Sequence, residues 1–396
     1  MSGNDTVLSR EEYSRYGRQM QVPVFNSLNG QINLKIAKVL VIGCGGLGSS
    51  ALLYLGAAGI GTIGLLDHDK VEISNLHRQI IHDTSTIGMF KTESAAKRLT
   101  AINPHLKINI HSEFLSTENC ISIVEQYDLV LDCTDSPATK YLISDTCILL
   151  NKILVTASSV QTDGQLMILN YNNGPCYRCI NPVPTNPENI ATCSDNGVIG
   201  PCVGLVGTLM SIETIKIITG YYNTESNNFK PIMLMYSGYT GNNGQSLKTF
   251  KMRNKQSNCI CNSMTEEMIK STNYNLFCGE IDYNVIDEEK MLSFENVSVE
   301  DDLILDVRPQ EQFQISNLSD NHDLALINIP YKSLIRMDDE KLKTLLPVNK
   351  RIVSVCKMGN DSRLATKFLS SRGYNAFDMR GGLNSYSKKH DFNIYW

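Results

Sequence analysis

The stretch VLVIGCGGLGSS, residues 39–50, constrains this chain more than any other. An apolar run opens into Gly43, Gly45, Gly46 and Gly48. That order reads as a buried strand feeding a helix through a turn that lies close to phosphate oxygens. Glycine has no Cβ to hold the phosphates off, and the N–H groups of a helix start point at them. Gly43, Gly45 and Gly48 fit the dinucleotide fingerprint, and Asp67 ends the next apolar run where a ribose-binding carboxylate is expected. Alone, these residues favour NAD or FAD, and an ordinary tight strand-to-helix turn is the plainer alternative.

The rhythm continues downstream. KVLVIG, IGLLD, LKINIH, YDLVLDCTDS, KILVTAS and LMILN read as strands, separated by helical stretches such as SSALLYLGAAG and KTESAAKRLTAIN. Alternation of this kind predicts an α/β, Rossmann-like domain with a mostly parallel sheet, placed at residues 10–261. Polar, Asn-rich loops at 221–229 and 239–246 interrupt its end. The pattern weakens over 262–295, which reads as a linker with a short helix. A second alternation follows, with LILDVRP, ALINIP, RIVSVCK and NAFDMRGG as strands and DDEKLKTLL and DSRLATKFLSSRG as helices, predicting a smaller α/β unit over 296–396.

Charge narrows the function classes. A net charge of −5 and a pI near 5.9 give no footprint for gripping a polyanion, so direct nucleic-acid binding is not expected. The start MSGNDTVLSREEY lacks a basic region followed by an apolar one, and the apolar run VGLVGTLMSIETIKIITG is broken by Glu213 and Lys216. A cytoplasmic protein that neither enters nor spans a membrane is expected. In that setting, twelve cysteines point to metal binding or thiol chemistry sooner than to a disulfide framework.

The residues after Asp67 bear on the ligand. Asn75, Arg78 and Gln79 follow in SNLHRQ, Lys91 begins a helix, and Asp135 ends a strand in DCTDS. A nicotinamide site has little use for this positive charge, whereas a triphosphate whose pyrophosphate leaves does, with Asp135 able to hold a bridging Mg²⁺. Singly, Arg78 and Lys91 are plausible as surface charges and Asp135 as a helix cap.

RYGRQ at 15–19, GCGGLGS, LLDHDKVEISNLHRQ, GMFKTESAAKRL and DCTDS resemble the adenylation domain of ubiquitin-activating-type enzymes, which includes the bacterial activators of sulfur-carrier proteins. The resemblance implies ATP as the nucleotide. It places Gly46, Asp67, Ser74, Asn75, Leu76, His77, Arg78, Lys91, Asp135 and Ser136 at the nucleotide, with Asp135 also catalytic. It implies that Arg18 reaches the ATP of a neighbouring subunit, and hence a homodimer.

Cys176 and Cys179 form CYRC, a spacing that lets both thiolates meet one metal ion. The family closes such a site with a second CxxC. At that place stand Cys259 and Cys261, with Asn262 where the fourth ligand would fall, and Cys278 is a substitute candidate. One structural Zn²⁺ per chain is expected at Cys176, Cys179, Cys259 and Cys261, with the Cys-x-Cys pair a departure that strains or weakens the site. Cys193 lies in a Gly- and Asn-rich loop where a thiol is reactive, and it matches the family's thioester or redox cysteine. Cys202 reads as a small core residue.

SVCKMGNDSRLATKFL runs from a strand through a polar loop into a helix, so the Cys356 sulfur is expected at the base of a cradle of backbone N–H groups that favours a thiolate or persulfide. A buried cysteine ending a strand is the plainer reading. Arg363 is either a helper to that anion or a surface charge. With LDVRP at 305–309 and MRGGLNSY at 379–386, the C-terminal unit resembles a rhodanese domain, and Cys356 matches its persulfide-carrying residue.

Fusion of the two domains resembles the eukaryotic activators of ubiquitin-related sulfur carriers. That implies an adenylyltransferase and sulfurtransferase whose partners are a ubiquitin-like carrier ending in Gly-Gly and a persulfide donor, such as a cysteine desulfurase or another sulfurtransferase. The implied product is a carrier thiocarboxylate, used for tRNA wobble-uridine thiolation and for attachment of the carrier to proteins. Two alternatives stand beside it: the same chemistry on the small subunit of molybdopterin synthase, and an NAD-binding oxidoreductase with an inert C-terminal interaction domain.

Overall fold

The computed structural model describes residues 7–184, 197–223, 228–240, 244, 246–279, 283, 285–298, 300–318, 325–390 and 392. The chain divides into two compact units, Met1–Glu280 and Ile281–Trp396.

In the first unit two helices, α1 (Arg10–Met20) and α2 (Ser27–Ile36), precede the sheet. Ser9 and Glu12 start α1 with reciprocal bonds between side chain and backbone, satisfying two N–H groups that a helix start leaves open. The strands are β1 (Lys38–Ile42), β2 (Thr62–Leu66), β3 (Lys107–His111), β4 (Leu129–Asp132), β5 (Ile153–Val160), β6 (Asp163–Leu169), β7 (Ile232–Ser237) and β8 (Ser246–Lys251). They form one sheet in the order β3-β2-β1-β4-β5-β6-β7-β8. The first five run parallel, and β6, β7 and β8 add antiparallel to the β5 edge. Residues Val39–Ile42 are buried because helices cover both faces of the parallel part, which is why β1 reads as an unbroken apolar run.

Two glycines fix the turn between β1 and the next helix, α3 (Gly46–Ala58). Gly43 has φ of +96°, and a Cβ there would lie 2.9 Å from the Cys133 carbonyl oxygen. At Gly48 a Cβ would lie 2.0 Å from the Gly43 carbonyl oxygen, so only glycine lets the first turn of α3 sit on the strand end. Helix α4 (Lys91–Ile102) leads into β3. The apolar helix Gly200–Ile218 packs on α3 so closely that a Cβ at Gly207 would meet the Leu47 carbonyl oxygen at 2.2 Å. Among the described residues it is the one helix long and apolar enough to cross a membrane, yet half of that stretch is buried inside the unit. Glu213 is buried there with the Lys216 ammonium 2.8 Å away. Cys202, at the start of this helix, is buried.

Residues 262–279, expected within a linker, instead fold onto the first unit as the helices Glu266–Ser271 and Tyr274–Phe277. Ile269, Tyr274 and Cys278 join its core, and the Tyr274 hydroxyl donates to Asp145 Oδ2 at 2.8 Å. So few apolar residues, each packed against a distant element, leave no periodicity to read in the sequence.

The second unit is a parallel sheet of β9 (Met291–Leu292), β10 (Asp302–Asp306), β11 (Leu326–Asn328), β12 (Arg351–Val355) and β13 (Ala376–Met379), in the order β11-β10-β12-β13-β9. The start of this sheet at Met291 lies inside the stretch expected as linker. Arg308 of LDVRP is buried. Its Nε donates to both Asp306 carboxylate oxygens at 2.9 and 3.0 Å, and its Nη2 donates to the Ser316 carbonyl at 2.9 Å. That motif clamps the loop after β10.

Candidate functional site

A cleft of about 1050 Å³ opens where β1, β2 and β4 end. The chain steps outward to opposite sides from β1, toward β2 and toward β4, so their diverging connections leave a crevice at the strands' carboxyl ends. Gly43, Gly45, Gly46, Asp67, Asn75, Arg78, Gln79, Lys91, Asp135 and Ser136 all line it. The structure thus gathers around one cavity residues that the sequence spreads over nearly a hundred positions.

Each is held by local geometry. Asp67 is buried and accepts from the Cys44 N–H at 2.8 Å and the Asp69 N–H at 2.9 Å, which ties the carboxylate to the glycine turn. Lys91, the first residue of α4, sets its ammonium 2.8 Å from Asp69 Oδ2. Arg78 Nη1 donates to the Ser74 carbonyl at 2.9 Å, leaving the rest of its guanidinium fork beside the cleft. Ser136, with Pro137 next, caps the helix Pro137–Leu149 by accepting from the Thr139 N–H at 3.4 Å, so Asp135 is not the cap and lines the cleft instead.

Three residues expected at the nucleotide do not line the cleft. Ser74 turns its hydroxyl to Glu72 Oε2 at 3.3 Å, the His77 ring packs 3.3 Å from Arg78 Nη1, and Leu76 follows the short turn Ile73–Asn75. A turn this tight aims successive side chains in different directions, so a contiguous motif does not become a contiguous lining. Arg18, in the last turn of α1, is exposed and lies outside its own chain's cleft.

The sequence reading missed Lys140. It lines the cleft, and its buried ammonium lies 3.0 Å from Asp132 Oδ2 and 2.8 Å from the Ala157 carbonyl. Thr156 donates to the same Asp132 oxygen at 2.6 Å. The only clue was a lysine in the first turns of a helix that follows a strand.

On the same unit the four sulfurs of Cys176, Cys179, Cys259 and Cys261 lie within 4.8 Å of one another, with nearest separations of 3.6, 3.8 and 3.8 Å. A tetrahedral ion with sulfur about 2.3 Å away sets its ligands about 3.8 Å apart. Burial pushes the Cys176 thiol up and takes Cys261 to about 12, whereas at Cys179 burial is outweighed by hydrogen bonds from Gln256 and Cys176 that lower it. Asn262, at the position where a further ligand was expected, braces the Cys-x-Cys turn instead. Its Nδ2 donates to the carbonyls of Gln256, Ser257 and Cys259 at 2.9–3.0 Å, holding the tight turn that brings both sulfurs inward. Cys278 lies outside the cluster. These four cysteines could hold a metal ion.

In the second unit Cys356 follows β12, and the helix Asn360–Ser371 begins four residues later. Gly359, with φ of +90°, donates its N–H to the sulfur at 3.1 Å, and Gly382 fits beneath the loop where a Cβ would come 2.4 Å from the Cys356 carbonyl oxygen. Burial works against the cradle expected to favour a thiolate. Cys356 is 5% exposed, and burial, the dominant effect, pushes its thiol up against its hydrogen bonding with Ser362 and the bond from the Gly359 N–H. Ser362, which the sequence reading passed over, places its hydroxyl 3.3 Å from the sulfur and 2.5 Å from Asp378 Oδ1. Arg363 Nε stands 3.7 Å from Asp378 Oδ2, so the arginine faces this carboxylate. Cys193 lies outside the described residues.

Residues 16–261 match the ThiF family and residues 289–389 match the rhodanese-like domain. The chain is 47% identical to the adenylyltransferase and sulfurtransferase uba4 of Ogataea parapolymorpha, covering 98% of this chain and 99% of that protein. The enzyme of the same description from Saccharomyces cerevisiae is 46% identical over 97% of this chain and 90% of its own length. Among solved structures, E. coli MccB with selenomethionyl MccA aligns with a TM-score of 0.54 at 23% identity, covering 64% of this chain and 75% of that one, a likeness in fold. MccB solved with ATP gives 0.52 at 22% identity over 64% and 75%. With its two units matching in that order and relatives nearly half identical from end to end, the chain belongs to the ThiF family, in the branch of adenylyltransferase and sulfurtransferase enzymes that carry a C-terminal rhodanese-like domain.

Proposed function

We propose that this enzyme activates the C-terminal glycine of a ubiquitin-like sulfur carrier with MgATP and converts it to a thiocarboxylate, which serves tRNA wobble-uridine 2-thiolation and conjugation of the carrier to proteins. The observation that carries the reading is the cleft itself, where Gly43, Gly45, Gly46, Asp67, Arg78 and Lys91 meet at the switch point of the sheet.

The glycine turn admits the phosphates, and Asp67 is fixed to receive ribose hydroxyls. The carrier carboxylate attacks the α-phosphorus, and the bond to the leaving pyrophosphate breaks as acyl-adenylate forms. Arg78 and Lys91 supply positive charge to the phosphates as negative charge moves onto the leaving group. A bound Mg²⁺ would neutralise phosphate charge, and Asp135, which lines the cleft, would hold it. Arg18 sits outside its own cleft, which agrees with service to the ATP of a second subunit in a homodimer.

Cys356 carries the sulfur, received from a persulfide donor. Its persulfide attacks the acyl carbon, AMP leaves, and an acyl disulfide forms. A thiolate on Cys193 then attacks the Cys356 sulfur, releasing the thiocarboxylate and leaving a Cys193–Cys356 disulfide for an external thiol to reduce. Cys356 is nearly covered, and an added sulfur extends the side chain by about 2 Å. The Cys176, Cys179, Cys259 and Cys261 cluster holds a structural Zn²⁺, to which its sulfur spacing is suited. The acidic chain acts in the cytoplasm on the carrier protein rather than on tRNA.

The test incubates enzyme, MgATP, thiosulfate and a carrier ending in Gly-Gly, and reads pyrophosphate exchange and the intact mass of the carrier. Carrier-dependent exchange and replacement of one terminal oxygen by sulfur are expected. Cys356→Ala should keep exchange and form no thiocarboxylate; a normal thiocarboxylate yield from that variant refutes the assignment of Cys356.

A further inference from the structure

Before Cys356 can attack a sulfur donor its proton must leave, yet burial favours the protonated thiol. The neighbouring atoms indicate a route. The Ser362 hydroxyl donates to Asp378 Oδ1 at 2.5 Å, which leaves a lone pair of its oxygen facing the Cys356 sulfur 3.3 Å away. The thiol therefore donates to Ser362 and Ser362 to Asp378. Asp378 is fully buried, and among the described residues its Oδ2 has no hydrogen-bond partner, with Arg363 Nε standing off at 3.7 Å. A carboxylate kept only to brace the loop would cost stability in this setting. One that alternates between charged and neutral forms suits it.

We propose that Ser362 and Asp378 form the proton relay of Cys356, Asp378 taking the thiol proton through the Ser362 hydroxyl as the sulfur attacks. The proposal rests on the reading of Cys356 as the sulfur carrier. With thiosulfate as donor, the Cys356 S–H bond breaks, its proton passes to Ser362 Oγ, and the Ser362 proton passes to Asp378 Oδ1. The thiolate attacks the outer sulfur of thiosulfate and a new S–S bond forms. The old S–S bond breaks with its electron pair leaving on sulfite. Thiol, carboxylate and thiosulfate become persulfide anion, carboxylic acid and sulfite, with charge conserved and no outside oxidant.

Burial, the largest influence, raises Asp378 to about 6, against the pull of Ser362, Arg363 and Arg380. That is close to neutrality, where a proton acceptor works best. The groups facing the relay are Cys356 after β12, Asp361 and Arg363 on the following helix, and Arg380 after β13, itself 3.9 Å from Glu288.

The experiment measures the alkylation rate of Cys356 by iodoacetamide in the full-length enzyme across pH 5 to 10, read by peptide mass spectrometry. This readout follows the thiol alone and is separate from whether Cys356 transfers sulfur. Wild-type enzyme should show an inflection near pH 6 where Asp378 ionises, then a final rise as the thiol itself titrates. Asp378→Asn should lose the inflection and react at least tenfold more slowly at pH 7. Ser362→Ala, which keeps the carboxylate and removes the link, should do the same and decides the matter if the aspartate variant does not fold. If Asp378 acted only through its negative charge, Asp378→Asn would instead speed alkylation. An unchanged or faster rate at pH 7, or an inflection near pH 6 that survives in Ser362→Ala, overturns the relay.

Discussion

Gly204 and Gly207 lie three residues apart in the helix Gly200–Ile218, and replacing each with alanine should have opposite effects. Both substitutions gain the same intrinsic helix propensity, about 1 kcal/mol. A Cβ at Gly204 meets nothing within 4 Å, so that gain is kept and Gly204→Ala should be more stable by about 1 kcal/mol. At Gly207 the added Cβ would lie 2.2 Å from the Leu47 carbonyl oxygen and 2.2 Å from Ser50 Oγ, where ordinary contact begins at 3.4 Å. Ser50 can turn its hydroxyl away, but the Leu47 carbonyl belongs to the first turn of α3 and cannot move alone. The helices must part by roughly 1 Å at the residue beside Gly46, an overpacking cost of about 1–3 kcal/mol or more. A misplacement of about 1 Å at the phosphate turn costs on the order of a hundredfold in reactivity. Differential scanning calorimetry should place the melting of Gly207→Ala below that of Gly204→Ala, with about 2–4 °C for each kcal/mol. ATP–pyrophosphate exchange should fall at least tenfold for Gly207→Ala and stay unchanged for Gly204→Ala. If Gly207→Ala melts at or above Gly204→Ala, the close helix contact as the support of the nucleotide turn is refuted.

Three further outcomes test other parts of the molecule. The Asp378 carboxyl is raised from 3.8 in the unfolded chain to about 6 in the fold, so its contribution is stabilising below about pH 4 and is lost as pH rises through 6. The loss totals about 3 kcal/mol for this fully buried group and accumulates between about pH 4 and 6; hydrogen exchange of β12 compared at pH 4 and pH 7 should read most of it, and Asp378→Asn should abolish that pH dependence. Asn262→Ala removes the donor that holds three carbonyls around Cys259, and when the four cysteines are loaded with added Zn²⁺ it should weaken binding at least tenfold in a chelator competition; equal affinity would show that the turn holds without it. Arg18→Ala should bind ATP as wild type does while losing pyrophosphate exchange, and exchange at the wild-type rate would count against an arginine shared between subunits.

Much of the molecule was written in local pattern. The unbroken apolar runs at β1, β4 and β5 announced a parallel sheet because such strands are covered on both faces, and Gly43 and Gly48 announced the turn because the backbone there leaves room for nothing larger. The four clustered cysteines and the loop after Cys356 were likewise visible as motifs. Other features depended on contacts between distant segments. The packing of 262–279 on the first unit, the Lys140 ammonium beside the cleft, and the bracing of the Cys-x-Cys turn by Asn262 leave no periodic trace. The state of Cys356 shows the boundary most sharply. Its place between a strand and a helix is a property of neighbouring residues, but its burial, and the Asp378 carboxylate that reaches it through Ser362, follow from β13 lying beside β12. Reactivity depends on dielectric surroundings and on which groups stand within a few ångströms. Chain order alone does not carry that information; packing supplies it.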